Sequence, residues 1–178
     1  IEGIWAGGDA VAAKNPVTGE LRPVPLAGPA NRAGRLIADS IIRGDDARPI
    51  PEPLGTAVVR VGDLTGALTG SNRATLDAAG IKYHTLNLHP TQHVTYFPGA
   101  TPMHLVVHFE EGTRRILGAQ GVGKHGIDKR IDVFSTAIRG GLAINDLIDL
   151  DLAYSPPYGA AKDGVNMAGM IGENALDG

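Results

Sequence analysis

The chain carries four tyrosines in 178 residues, and three of them stand in rigid backbone. Tyr96 precedes Phe97-Pro98-Gly99, and Tyr154 and Tyr158 bracket Ser155-Pro156-Pro157. A phenol held by proline and glycine can donate a hydrogen bond to a reacting group or stack on a ring. Spacing alone favours the plainer role of core or interface packing. A second candidate is Gly7-Gly8-Asp9, which ends the apolar run Ile4-Trp5-Ala6. An acid at the carboxyl end of a strand is where α/β folds hold hydroxylated ligands, although Gly-Asp also makes ordinary turns. Pro29 suits the first turn of a helix, where its missing N–H costs little. The dipole of that helix would face an anionic or electron-rich partner.

Two further patterns invite chemistry and fall short of it. Gly118-Ala119-Gln120-Gly121-Val122-Gly123-Lys124 matches G-x-x-x-x-G-K, but His125 stands where a phosphate loop needs Ser or Thr to hold Mg²⁺. Gly126 and Asp128 also delay the helix, whose N–H groups should face phosphate from the lysine onward. The segment therefore reads as a glycine-rich strand-to-helix turn, with a phosphate-binding module as the alternative. The histidines at 84, 89, 93, 104 and 108 could ligate a metal. His84 and His89 fall on opposite faces of a strand, while His104 and His108 share one. No carboxylate lies at helical spacing to complete a set, so they read as surface or hydrogen-bonded histidines and no metal is expected.

Length suggests one domain and a fraction. With no cysteine, a disulfide framework, a cysteine-ligated metal and a thiol nucleophile are all excluded within this chain. A net charge of −3 offers no polybasic field for nucleic acid or an acidic membrane. No apolar run has membrane-spanning length, and no secretory signal opens the sequence. A cytoplasmic protein is expected. Glycine, at 25 residues, is roughly twice as common as usual.

Hydrophobic period places the elements. Ile4-Trp5-Ala6 reads as a last strand and residues 12–25 as loop or hairpin. Residues 28–42 repeat apolar positions at three- and four-residue steps and read as a helix. Residues 43–55 hold three prolines and no period, and mark a boundary. Thr56–Val61 reads as a strand that Asp63–Thr69 continues past a bend at Gly62. Ser71–Ala79 reads as a short helix and Ile81–Leu88 as a strand. Met103–Phe109 and Arg115–Gln120 read as a hairpin, Lys129–Arg139 as a helix and Ile144–Leu150 as a helical turn. The tail from Ala153, rich in Tyr, Pro, Gly and Met, has no assigned element. The expected fold is α+β: an antiparallel β-sheet with flanking helices, preceded by a strand-loop-helix piece of an α/β domain.

These pieces together resemble one family. Gly3-Ile4-Trp5-Ala6-Gly7-Gly8-Asp9-Ala10 resembles the second flavin-contacting motif of the FAD-dependent pyridine nucleotide–disulfide oxidoreductases. Pro25-Leu26-Ala27-Gly28-Pro29-Ala30-Asn31-Arg32-Ala33-Gly34-Arg35 resembles the helix start that follows it. Gly118-Ala119-Gln120 with Val122-Gly123, then Asp128-Lys129-Arg130-Ile131-Asp132-Val133, is similar to that family's dimerisation domain. The tail Leu152-Ala153-Tyr154-Ser155-Pro156-Pro157-Tyr158, with Ala161-Lys162-Asp163 and Val165-Asn166-Met167-Ala168-Gly169, resembles the branch of coenzyme A-disulfide reductases, NADH oxidases and NADH peroxidases. The resemblance covers nearly the whole chain.

The resemblance implies FAD, NAD(P)H and coenzyme A as ligands of the parent enzyme, with a small-molecule disulfide or thiol as substrate and a homodimer as the working form. Gly8 and Asp9 would meet the ribityl chain of FAD, Asp9 accepting from a hydroxyl. The backbone at Leu26 and Ala27 would meet the pyrimidine edge of the flavin. Tyr96 and Tyr154 match the two tyrosines that reach into the partner subunit's active site, Tyr154 also lying near the cofactor. Asn31 and Lys162 fall where that branch contacts coenzyme A, Asn31 standing where some members carry His. In the whole enzyme a nicotinamide passes hydride to FAD, and the flavin reduces a lone cysteine that attacks the substrate. That cysteine, the G-x-G-x-x-G of the ADP site and the nicotinamide-binding unit are absent from this chain. It is therefore expected to be a carboxyl-terminal fragment, inactive alone, with residues 1–52 from the FAD-binding domain and 53–178 forming the dimerisation domain and active-site tail. Some relatives continue from this end into a rhodanese-like domain. A non-catalytic dimerisation module is the rival reading.

Overall fold

A computed structural model describes residues 3–177. The chain divides into two compact units, Ile1–Gly55 and Thr56–Gly178.

In the first unit, β1 (Ala12–Lys14) and β2 (Leu21–Pro23) form a small antiparallel hairpin, followed by helix α1 (Ala27–Arg43). Asn15 closes the hairpin loop, its buried side-chain oxygen accepting from the Val17 N–H at 2.9 Å. The apolar positions of α1 bury Ala33 and Leu36. The expected strand over Ile4–Ala6 is not formed. Gly8–Ala10 is a 3-10 turn instead, and Ile4 and Trp5 are exposed. A strand exists only as one side of a hydrogen-bonded ladder, and no described residue of this unit pairs with that segment.

The second unit is built on a five-stranded antiparallel sheet in the order β3-β4-β7-β6-β5. Its strands are β3 (Ala57–Val61), β4 (Leu64–Gly70), β5 (Tyr83–Leu88), β6 (Met103–Glu110) and β7 (Ile116–Gly123). Instead of continuing β3, residues 64–70 turn back on it at Gly62-Asp63, pairing Ala57 with Leu68 and Val61 with Leu64. Helix α2 (Arg73–Ala78) follows β4, capped by the Asn72 side chain, which accepts from the Thr75 N–H at 3.0 Å. Helix α3 (Ile127–Gly140), a 3-10 turn (Ile144–Asp149) and helix α4 (Gly164–Asp177) complete the chain.

Side-chain alternation places Met103, Leu105, Val107 and Ala119 on one face of the sheet. They pack against Ile127, Ile131, Phe134 and Ala137 of α3, Ile144 and Leu147 of the 3-10 turn, and Val165 and Ala168 of α4. The opposite face leaves Val59, Val61, Leu64, Leu68 and Val122 exposed.

Candidate functional site

Two loops carry the tyrosines. The first joins β5 to β6. Its base is closed by Gln92 N–H donating to Thr101 O and Met103 N–H to Pro90 O, both at 2.8 Å. Above it, Thr91 Oγ1 donates to His93 O at 2.7 Å, and the buried His93 Nδ1 donates to Val94 O at 2.9 Å. The His93 ring meets Phe97 edge-on. Tyr96 is thus held at the tip of a structured loop, 74% exposed.

The second loop runs from the 3-10 turn to α4. Tyr158 N–H and Gly159 N–H both donate to Ser155 O, closing the turn that the two prolines stiffen. Lys129 Nζ, on α3, donates to Ala153 O at 3.3 Å. The loops are joined directly, Val94 N–H donating to Gly159 O at 3.0 Å.

At this junction the Tyr96 and Tyr154 hydroxyls lie 3.1 Å apart, within hydrogen-bond distance. The bond with Tyr96 holds the Tyr154 phenol above the usual tyrosine range, with partial desolvation adding to it. Tyr154 therefore remains a neutral O–H donor across the physiological range. Tyr158 is exposed and Lys162 lies on the surface just before α4.

Sequence reading missed what lies beneath. Arg130 is 2% exposed and Asp163 4%. The guanidinium grips the carboxylate with both arms, Nε to Oδ1 at 3.2 Å and Nη2 to Oδ2 at 2.8 Å. It also donates to Gly126 O and Gln92 O. Asp163 Oδ1 caps the start of α4 by accepting from Val165 N–H. The Asn166 amide spans the carbonyls of Leu147, Ile148 and Leu150. The available signal was an arginine on the apolar face of α3, three residues after Ile127, since an arginine is rarely buried without an acid partner.

In the first unit the 3-10 turn bearing Gly8 and the exposed Asp9 lies against α1, where a Cβ on Gly8 would sit 3.4 Å from the Ala30 Cβ. Helix α1 starts after Leu26 with no side-chain cap and no acid in its first turn. Its leading N–H groups, including that of Ala27, lack helical partners and present positive potential. Asn31 is exposed on the same helix. The turn and the open helix start fit a ligand with hydroxyls and an electron-rich edge.

The glycine-rich motif is strand, not phosphate loop. Residues 118–123 belong to β7, and α3 begins only at Ile127. Gly118 is required because any Cβ there would strike the Ser71 backbone. Lys124 pairs with Asp63 at 2.6 Å, and that ammonium holds the Asp63 carboxyl below the usual range. The histidines form ring contacts. His89 stacks on His104 with centroids 4.4 Å apart, His84 stacks on Phe109, and His108 meets Tyr83 edge-on. His104 is exposed, whereas His108 is buried next to a register irregularity in β6. Among the described residues no group of three or more potential ligands could hold a metal ion. None of their helices is long and apolar enough to cross a membrane.

The five-stranded antiparallel sheet with helices on one face, ending in a tyrosine-bearing tail, defines a class. Residues 56–163 match the dimerisation domain of the pyridine nucleotide-disulphide oxidoreductases, and the chain belongs to that family. It is 38% identical over 146 residues to coenzyme A disulfide reductase of Staphylococcus aureus, a match covering 82% of this chain and 33% of the relative. Among solved structures it resembles the NAD-dependent persulfide reductase of A. fulgidus with TM-score 0.95 and 39% identity, over 99% of this chain and 33% of that one. It also resembles reduced CoADR-RHD of Bacillus anthracis with TM-score 0.91 and 43% identity, over 98% of this chain and 31% of that one. The chain thus spans about a third of the length of the relatives it matches.

Proposed function

We propose that the parent protein is an FAD-dependent NAD(P)H:disulfide oxidoreductase acting on coenzyme A disulfide or a related persulfide. In this reading the chain supplies the homodimer interface, part of the flavin site and the tyrosines of the partner subunit's active site. The 3.1 Å phenol pair, built from two loops tied to each other, carries it. Residues 1–52 belong to the FAD-binding domain in this reading, 53–178 are the dimerisation domain with its tail, and the compartment is the cytoplasm.

FAD, when bound, supplies the electron relay between the nicotinamide and the thiol chemistry. Asp9 would accept from a ribityl hydroxyl. With FAD bound, the N–H groups at the start of α1 and the backbone at Leu26 and Ala27 would hold its pyrimidine edge, and the helix dipole would favour negative charge there. Tyr154, oriented by its hydrogen bond with Tyr96, donates its O–H to the sulfur that leaves as thiolate. Asn31 and Lys162 contact coenzyme A, Lys162 as a cation suited to its phosphates.

The test uses the full-length enzyme. Tyr154→Phe and Tyr96→Phe should each lower kcat for coenzyme A disulfide by about 100-fold, the low end for a general acid, with flavin content and dimer mass intact. Unchanged kcat in both would refute the role. The rival, a purely structural pairing module, predicts pairing in solution with no retention of FAD after dialysis.

A further inference from the structure

Resting on that reading, we infer that Arg130 and Asp163 are positioning residues for the active site, clamping together the two loops that carry Tyr96 and Tyr154. Neither side chain reaches the phenols. Each acts through backbone that a tyrosine rides on.

The geometry is specific. Arg130 leaves α3 and spends its donors on three different segments. Nη2 reaches Gln92 O at 2.8 Å, four residues before Tyr96. Nη1 reaches Gly126 O, at the start of its own helix. Nε and Nη2 reach the Asp163 carboxylate, one residue after Lys162 and at the end of the Tyr154 loop. Asp163 is itself fixed from both sides, its N–H donating to Asn166 Oδ1 and its Oδ1 accepting from Val165 N–H. The planar fork of arginine sets direction as well as distance, which a lysine ammonium cannot do. The Val94–Gly159 bond lies between these anchors and depends on both loops keeping their places.

The site chemistry does not use this buried pair. Its position also does not follow from stability, since a buried ion pair is often replaceable by packed apolar side chains at little cost. What such a replacement would remove is the fixed direction between the loops.

The experiment uses the full-length protein with ¹³Cζ-tyrosine, assigning Tyr96 and Tyr154 through their Tyr→Phe variants. In the wild type the two rings should show a mutual nuclear Overhauser effect, and Tyr154 should titrate above an ordinary tyrosine. In the Arg130→Met/Asp163→Leu double variant, with helical content and dimer mass retained, the ring–ring effect should vanish. Tyr154 should then titrate where it does in Tyr96→Phe. Arg130→Lys, which keeps charge and solubility, should give an intermediate titration and a fall in kcat larger than its change in KM. If the double variant does not fold, Arg130→Lys alone decides. Ring contact and titration unchanged from wild type, in whichever variant folds, would overturn the positioning role. No coupling of the tyrosines in the wild type would instead overturn the pairing on which the proposed function rests. Loss of coupling with undiminished kcat would leave the clamp standing and refute the catalytic reading.

Discussion

Gly169→Ala separates two opposing effects in α4. In an exposed helix interior, alanine is more stable than glycine by about 1 kcal/mol. Gly169, however, faces the 3-10 turn at close range. A Cβ there would lie 2.8 Å from Ile148 N and 3.1 Å from Ile144 O. Both are backbone atoms, so no rotamer change relieves the contact, and overpacking of this kind costs roughly 1–3 kcal/mol. The net expectation is destabilisation by up to about 2 kcal/mol once the propensity gain is subtracted. Gly172 meets the Ile144 side chain closer still, and Ile144 is β-branched and fully buried, so Gly172→Ala should cost at least as much. Gly34, in α1, has nothing within 4 Å of its would-be Cβ. Gly34→Ala should therefore stabilise the first unit by about 0.5–1 kcal/mol. Urea unfolding followed by far-UV circular dichroism reads the α4 variants. Fluorescence of Trp5, the single tryptophan, reads the first unit. A Gly169→Ala chain more stable than wild type, by the full propensity gain, would refute the claim that close approach selects glycine there.

Three other outcomes follow from the same structure. Calorimetry with ATP and Mg²⁺ should show no binding, and Lys124→Ala should leave that unchanged, because Gly118–Gly123 is a paired strand and the lysine is engaged by Asp63. Burial pushes the His108 imidazole below its ordinary value, with Arg73 adding to the shift against the opposing Gln120 and Asp77. The unfolded chain therefore takes up a proton near pH ~6.5 while the folded chain does not. Stability should fall as pH drops from there through the folded value, and His108→Gln should flatten that part of a urea-midpoint profile. Asn166→Ala strips the amide that spans three carbonyls. It should cost about 1–3 kcal/mol, the penalty of buried polar groups left unpaired, in the same urea assay.

The sheet was legible because its strands announce themselves. Met103, Leu105, Val107 and Phe109 recur at every second position, and the apolar positions of α3 recur at helical spacing. Helix α4 was not, because Gly164, Gly169 and Gly172 lower its intrinsic propensity while serving tertiary contact that no local window contains. Ile4–Ala6 failed the other way: its residue types suit a strand, but pairing decides whether one forms. Residues 64–70 reversed direction at Gly62, where a bend and a hairpin turn look alike in sequence. The tyrosine pair joins positions far apart in the chain, so spacing could mark each phenol as constrained but could not bring them together. Only the resemblance named them as a pair. Arg130 was read as part of a family motif, and its meaning depends on Asp163, which belongs to the tail.

The exposure of the tyrosine pair makes the proposed homodimer testable without any substrate. Tyr96 is 74% and Tyr154 44% exposed, and a phenol hydrogen bond facing water competes with water on equal terms. Covering the pair with a second copy would remove that competition and raise the cost of a phenolate, pushing Tyr154 further up in the dimer than in the free chain. The sign then follows from linkage. A proton held more tightly in the dimer favours association fully below the titration of the free chain, and this contribution is lost as pH rises through that of the dimer. Each tyrosine released should weaken association by up to about tenfold per pH unit between the two values. Sedimentation equilibrium from pH 8 upward, on wild type and Tyr154→Phe, measures this directly. The wild-type dissociation constant should climb above pH ~10, and the variant's should climb less. Superimposable profiles would mean that the partner does not cover the pair, and with that the tyrosines could not serve the partner's active site.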